Sequence, residues 1–190
     1  MKIGLFFGSF NPMHVGHKII ASYMAEFSDL EKVIFVVSPE NPLKQKKTLL
    51  NQSHRLQIIK DEVEDNPKLA VSDIEFSMPK PSYTIDTLVR LKEEHPENEY
   101  AIIMGADNLK NFHKWKNYEQ ILEEYSIYVY PRPGIEIDGS HKNVRIVEGV
   151  PQMEISASFI RESIKQKKDV SYLIPEKAWK YIDEMNLYKK

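Results

Sequence analysis

Ile3-Gly4-Leu5-Phe6-Phe7-Gly8-Ser9-Phe10-Asn11-Pro12-Met13-His14-Val15-Gly16-His17 follows Met1 and Lys2 at the start of the chain. Its first five residues, Ile3–Phe7, form a continuous apolar run. Such a run, lacking the alternation of a half-exposed strand, is the pattern of a parallel strand buried on both faces. Gly8 stops it. From Val15 the period changes: Val15, Ile19, Ile20, Tyr23, Met24 and Phe27 fall on one side of a helix spanning Val15–Phe27. The segment Gly8–His17 therefore leads from the carboxyl end of a strand into the first turn of a helix.

The same unit recurs outward along the chain. Strands are predicted at Val33–Val37, Leu69–Ile74, Tyr100–Met104, Ile127–Tyr130 and Val144–Val147. Helices are predicted at Gln52–Asp65, Thr84–His95, Asn108–Glu124, Ser158–Gln166 and Glu176–Met185, with Asn66-Pro67 and Pro96 as stops. Ser38–Leu50, Met78–Ser82 and Pro131–Asn143 read as loops. This alternation predicts an α/β fold with a doubly wound parallel sheet. Residues 1–190 are expected to form one domain, closed by helices from about residue 158. Sheets of this kind bind ligands beyond the carboxyl ends of their strands. That rule selects Gly8–His17, Ser38–Lys47, Gly105–Asp107 and the loop before Ser158.

Composition narrows the function. A chain of 190 residues can bury a core of ordinary size. A net charge of -2 argues against a nucleic-acid binder, which would carry a basic surplus. The absence of cysteine excludes disulfides, zinc-thiolate sites and cysteine nucleophiles. The N-terminal apolar run is too short for a signal peptide or a membrane span, so a cytoplasmic protein without membrane attachment is expected.

His14 and His17 are three residues apart and project from one face of the first helical turn. Gly16 between them leaves that face open, and Gly8 and Ser9 let a ligand approach the backbone. Free N–H groups at a helix start suit an anion. Two imidazole donors there could stabilise charge on the non-bridging oxygens of a phosphate under attack. A metal pair or two surface histidines would look similar. No nearby carboxylate or third histidine completes a metal triad, so no metal ligands are expected. In Ile155-Ser156-Ala157-Ser158-Phe159-Ile160-Arg161, either Ser156 or Ser158 can cap the helix, and Arg161 points back over the same end. That could seat phosphates, or be an ordinary capped terminus with a surface arginine. Trp115 stands among Lys110, Asn111, His113, Lys114 and Lys116, where its ring could stack on a flat cation or simply pack. Asp107 could accept from ribose hydroxyls or cap a helix. Trp179, spaced with Ile182, reads as core.

Gly8-Ser9-Phe10-Asn11-Pro12 followed by His14-Val15-Gly16-His17 resembles the signature of the HxGH nucleotidyltransferase superfamily. That resemblance implies a Rossmann-like fold and transfer of a nucleotidyl group from ATP or CTP with release of pyrophosphate. Phe7 stands where related enzymes often carry the first of two glycines. Ile155–Arg161 is similar to the superfamily's Ile-Ser-Ser-Thr-x-Ile-Arg motif, with Ala157 for serine and Ser158 for threonine. Pro39-Glu40-Asn41-Pro42-Leu43-Lys44, Pro81-Ser82-Tyr83-Thr84, Gly105-Ala106-Asp107 with Trp115, Pro175, and Asn186-Leu187-Tyr188 resemble the bacterial nicotinate-nucleotide branch. The resemblance thus runs from Ile3 to Tyr188.

On that resemblance, His14 and His17 are the expected catalytic residues. Gly8, Ser9, Phe10, Gly16, Lys44, Gly105, Asp107, Ser158 and Arg161 are expected to hold ATP and its phosphates. Asn11, Tyr83, Thr84 and Trp115 are expected to hold nicotinate mononucleotide. Mg²⁺ is expected to arrive with ATP, bound mainly through the phosphates. A homo-oligomer is left open. The alternatives are another acceptor, such as nicotinamide mononucleotide or phosphopantetheine, or a nucleotide-binding module without activity.

Overall fold

A computed structural model describes residues 1–39, 49–137 and 139–189. Six strands form one sheet: β1 (Lys2–Gly8), β2 (Lys32–Val37), β3 (Leu69–Ser72), β4 (Glu99–Gly105), β5 (Ser126–Tyr130) and β6 (Val144–Ile146). Their order is β3-β2-β1-β4-β5-β6, and every neighbouring pair is parallel. Parallel neighbours need crossover connections, and those crossovers cover both faces of the sheet.

The helices are α1 (Val15–Phe27), α2 (Gln52–Val63), α3 (Thr84–Glu94), α4 (Ala106–Lys110), α5 (Tyr118–Glu124), α6 (Ala157–Lys165) and α7 (Glu176–Glu184). The pleat sorts side chains into two cores. Phe6, Val33, Phe35, Ile103 and Tyr128 face Ile20 and Met24 of α1, Ile58 and Ile59 of α2, Ile160 of α6 and Ile182 of α7. Ile3, Leu5, Val36, Ile102 and Val129 face Ile85 and Leu88 of α3, Phe112, and Ile121 of α5. Trp179 packs against the first core, as its spacing suggested.

Most predicted boundaries move by one or two residues, and one predicted helix is broken. β3 ends at Ser72, and Ile74 turns into a 3-10 helix, Ile74–Ser77. β6 ends at Ile146 rather than Val147. The predicted helical stretch Asn108–Glu124 is broken: after α4 comes a single 3-10 turn at Phe112–Lys114, then Trp115 in extended geometry and Asn117 in the left-handed region at φ 52°. Asparagine tolerates that conformation better than most residues. Four of the six residues there, Phe112, His113, Trp115 and Asn117, are weak helix formers, and Phe112 is buried in the second core.

The chain reverses strand order between β1 and β4, so the loops after these two strands diverge and leave a crevice. The segment Gly8–His17 leaves β1 at that point, and Gly105–Asp107 leaves β4 beside it. Among the described residues, no helix is long and apolar enough to cross a membrane.

Candidate active site

β1 carries Gly8 into register with Val37 of β2, and the backbone then turns sharply. Phe10 has φ 44°, an unusual conformation for a bulky side chain, and its ring is buried against Phe6 and Phe35. The ring is thus core, and what Phe10 can offer a ligand is its backbone. The edge of His17 rests on it, with centroids 5.1 Å apart and planes at 82°.

His14 occupies the N-cap position of α1. Its backbone N–H donates to Nδ1 of His17, the third residue of the helix, at 3.2 Å. The bond fixes the tautomer. Nδ1 accepts, so neutral His17 carries its proton on Nε2 and presents that N–H as a donor. The two imidazoles stack at 3.7 Å with planes 25° apart. Gly16 makes this possible: a Cβ at residue 16 would lie 3.1 Å from two atoms of the His14 ring. His14 is 7% exposed, and its Nδ1 is buried with no hydrogen-bond partner. Burial, reinforced by the nearby Arg132 charge, pushes its pKa down to about 4, so the ring is neutral at physiological pH.

α6 brings the second anion-binding element. Ser156, not Ser158, is the N-cap, and its Oγ accepts from the N–H of Phe159 at 3.1 Å. That leaves Ser158 in the first turn, where its Oγ accepts from Arg161 Nη2 at 3.2 Å. Arg161 also donates through Nη1 to the carbonyl of Asn11 at 2.6 Å. A residue 150 positions away in sequence thereby joins the two motifs. The Oδ1 of Asn11 is engaged as well, accepting from Leu50 N–H at 3.1 Å and from the Tyr188 hydroxyl at 2.9 Å.

At the end of β4, Gly105 makes room for Asp107. A Cβ at residue 105 would sit 2.5 Å from Asp107 Oδ1. The carboxylate folds back over the strand end, 3.7 Å from Arg132 Nε, while the guanidinium lies 5.1 Å from the centre of the Tyr130 ring. Across the crevice, Tyr83 caps α3 without a side-chain hydrogen bond to the helix, leaving first-turn N–H groups at Thr84 and Ile85 without helical partners. Lys116 bridges from the Trp115 segment to this helix start. Its Nζ is 2.9 Å from Asp86 and 4.8 Å above the Tyr83 ring. Asp86, in the first turn of α3, is the ion-pair partner that ties Trp115's segment to the helix that Tyr83 caps. Trp115 is half-buried, its ring centroid 5.2 Å from that of Phe112 with the planes 62° apart. The Met78–Ser82 loop is held from beneath by buried Glu75, which accepts from Ser82 at 2.7 Å and Thr87 at 2.9 Å.

Lys44 lies outside the described residues. The other expected site residues fall at the carboxyl edge: those of the β1 and β4 loops, with Ser158 and Arg161 beside the former, and Tyr83, Thr84 and Trp115 gathered around Lys116. Sequence reading missed Arg132 and Arg55. Arg132 sits in a segment read only as irregular. Arg55 is completely buried, donating through Nε to Leu50 at 2.8 Å and through Nη1 to the carbonyls of Ser9 at 2.6 Å and Ser38 at 2.8 Å. Its Nη2 donates to the carbonyl of Pro39 at 3.1 Å. A sequence signal existed: Arg55 shares the apolar face of α2 with Ile58 and Ile59, three and four residues on.

Among the described residues, no group of three or more histidine, aspartate and glutamate side chains is placed to hold a metal. The arrangement is instead rich in donors: two imidazoles, Arg161, Arg132 and two helix starts. Such a crevice suits a phosphate-bearing anion with a developing charge.

Comparison with known proteins agrees. The cytidylyltransferase-like family matches residues 5–163. The probable nicotinate-nucleotide adenylyltransferase of Flavobacterium johnsoniae is 53% identical over the full length of both chains. That of Bacteroides thetaiotaomicron is 42% identical, covering 97% of this chain and 92% of its own. In fold, the chain is similar to Plasmodium falciparum nicotinic acid mononucleotide adenylyltransferase complexed with NaAD, with a TM-score of 0.83, 21% identity and coverage of 98% and 97% of the two chains. The chain therefore belongs to the cytidylyltransferase-like family and, within it, to the nicotinate-nucleotide adenylyltransferases.

Proposed function

We propose that this protein transfers the adenylyl group of ATP to nicotinate mononucleotide, giving nicotinate adenine dinucleotide and pyrophosphate, a step of NAD biosynthesis in the cytoplasm. The acceptor's phosphate oxygen attacks the α-phosphorus of ATP. The bond from that phosphorus to the β-bridging oxygen breaks, and pyrophosphate leaves with the electron pair. The attacking oxygen is already anionic at neutral pH, so no protein nucleophile is needed.

In this reading, His17 donates through Nε2–H to the α-phosphate, and neutral His14 stands beside it. Both serve the charge that grows on the non-bridging oxygens. The backbone of Gly8, Ser9 and Phe10, the helix start opened by Gly16, Ser158 and Arg161 receive the triphosphate. Lys44 is assigned to the same phosphates. Gly105 and Asp107 receive the ribose. Magnesium would arrive with ATP and neutralise phosphate charge, since among the described residues no group of three or more carboxylates and imidazoles is placed to hold it.

The nicotinate ring stacks on Trp115, beside Tyr83 and Thr84, and its carboxylate faces the first-turn N–H groups at the start of α3, with Lys116 close by. Asn11 contributes from below, by fixing the loop on which the acceptor phosphate rests.

The bond from Arg161 to the Asn11 carbonyl carries this reading, since it unites two anion-binding segments from opposite ends of the chain. The test is pyrophosphate release with ATP and Mg²⁺ against nicotinate mononucleotide, nicotinamide mononucleotide and phosphopantetheine in turn. Release with the first is expected. Release only with phosphopantetheine would reassign the acceptor, and none with any of them would leave a binding module.

A further inference from the structure

We propose that Arg55 is a positioning residue for the phosphate loop, holding the Ser9–Phe10 peptide so that its N–H faces the nucleotide. This rests on the reading of the crevice as a triphosphate site. Four of the five guanidinium N–H bonds go to main-chain carbonyls: Leu50, Ser9, Ser38 and Pro39. No carboxylate partners it among the described residues, although it is fully buried. A buried guanidinium bonded only to neutral carbonyls keeps its charge uncompensated, a costly arrangement for a residue whose task is packing alone.

What the arrangement provides is direction. The carbonyls of Ser9 and Ser38, at the ends of β1 and β2, turn inward onto one rigid fork. In a trans peptide, C=O and N–H lie on opposite edges. With the Ser9 carbonyl drawn onto Arg55, the Phe10 N–H is turned to the other side, away from Arg55. The same peptide sets the left-handed φ of Phe10 and hence the ring on which His17 rests. The Asn11 side chain, holding Leu50 N–H, ties the loop to Leu50, whose own carbonyl is another of Arg55's acceptors. The guanidinium also leaves a positive charge beneath the loop that no carboxylate of the described residues pairs with.

The test uses Arg55→Lys and Arg55→Met, with binding of the unreactive analogue α,β-methylene-ATP measured by titration calorimetry beside thermal unfolding. Lysine keeps the charge but cannot span four carbonyls, so both variants should bind the analogue roughly tenfold or more weakly. Adenosine, without phosphates, should bind both as it binds the wild type. Folded variants that melt earlier yet bind the analogue normally would reduce Arg55 to a structural clamp and overturn the proposal. Should the variants not fold, the ¹⁵N-labelled wild type decides: the Phe10 amide should move on adding the analogue, and a Phe10 signal that stays put while His17 responds overturns it. An analogue that does not bind the wild type at all would refute the nucleotide reading itself, and this inference with it.

Discussion

Replacing His14 by asparagine should flatten the acid side of the stability curve. Asparagine still suits the N-cap position of α1 but does not titrate between pH 4 and 7. In the folded protein, burial and the Arg132 charge hold the His14 pKa down at about 4, against 6.5 for a free side chain. Between those values the unfolded chain binds the proton and the folded one does not. Stability tied to neutral His14 is therefore complete above pH 6.5 and is lost as pH falls. At 1.36 kcal/mol per pKa unit the full loss is about 3 kcal/mol, of which about 2 kcal/mol has gone by pH 5. Urea unfolding at pH 7 and pH 5 measures it. The wild type should lose about 2 kcal/mol more between the two than His14→Asn, because the other titrating groups are common to both. Parallel losses would mean that the ring is hydrated or paired, and the neutral donor assigned to it would have to be abandoned. A triphosphate seated against the ring would raise its pKa, so binding of the ATP analogue at pH 5 should take up protons in the wild type and fewer in the variant. Calorimetry in two buffers of different ionisation enthalpy reads the difference.

His17→Ala should keep the fold and lower kcat by roughly 10²–10³, the cost of one preorganised donor; near-normal turnover in a folded variant would remove His17 from the chemistry. Arg161→Lys keeps the charge but cannot bridge the Asn11 carbonyl and Ser158 as a planar fork, so kcat/KM for ATP should fall clearly, and unchanged ATP kinetics in Arg161→Ala would make α6 an ordinary capped helix. Nicotinate mononucleotide should be preferred over nicotinamide mononucleotide by roughly 10- to 1000-fold in kcat/KM. A carboxylate can accept from every donor at the start of α3, whereas a carboxamide turns its NH₂ toward at least one of them. Equal values for the two substrates would exclude Tyr83 and Thr84 from the ring's pocket.

The buried strands, their alternation with helices and the parallel sheet were legible because local period reports burial directly: Ile3–Phe7 and Tyr100–Met104 have no polar alternation, and Val15–Phe27 has a single apolar face. The two histidines, Gly16 and Arg161 were legible because they stand at fixed short spacings on helix starts. The break at Phe112–Asn117 was not, since no proline or glycine marks it and the burial of the Phe112 ring in the second core depends on elements distant in sequence. Nor could sequence choose between Ser156 and Ser158 as cap, a matter of one dihedral angle.

Sequence by itself determined the fold class, the loop that leaves β1 and the chemical types gathered on it. Tertiary structure alone decided what those residues do to one another: that His17 accepts from His14 at Nδ1, that Arg161 reaches Asn11, and that Lys116, next to Trp115, pairs with Asp86 over the Tyr83 ring. It alone turned Arg55, an arginine on an apolar helical face, into the support under the phosphate loop. Spacing along a chain fixes which side of its own element a residue faces, whereas hydrogen bonds across 150 positions depend on where separate elements come to rest.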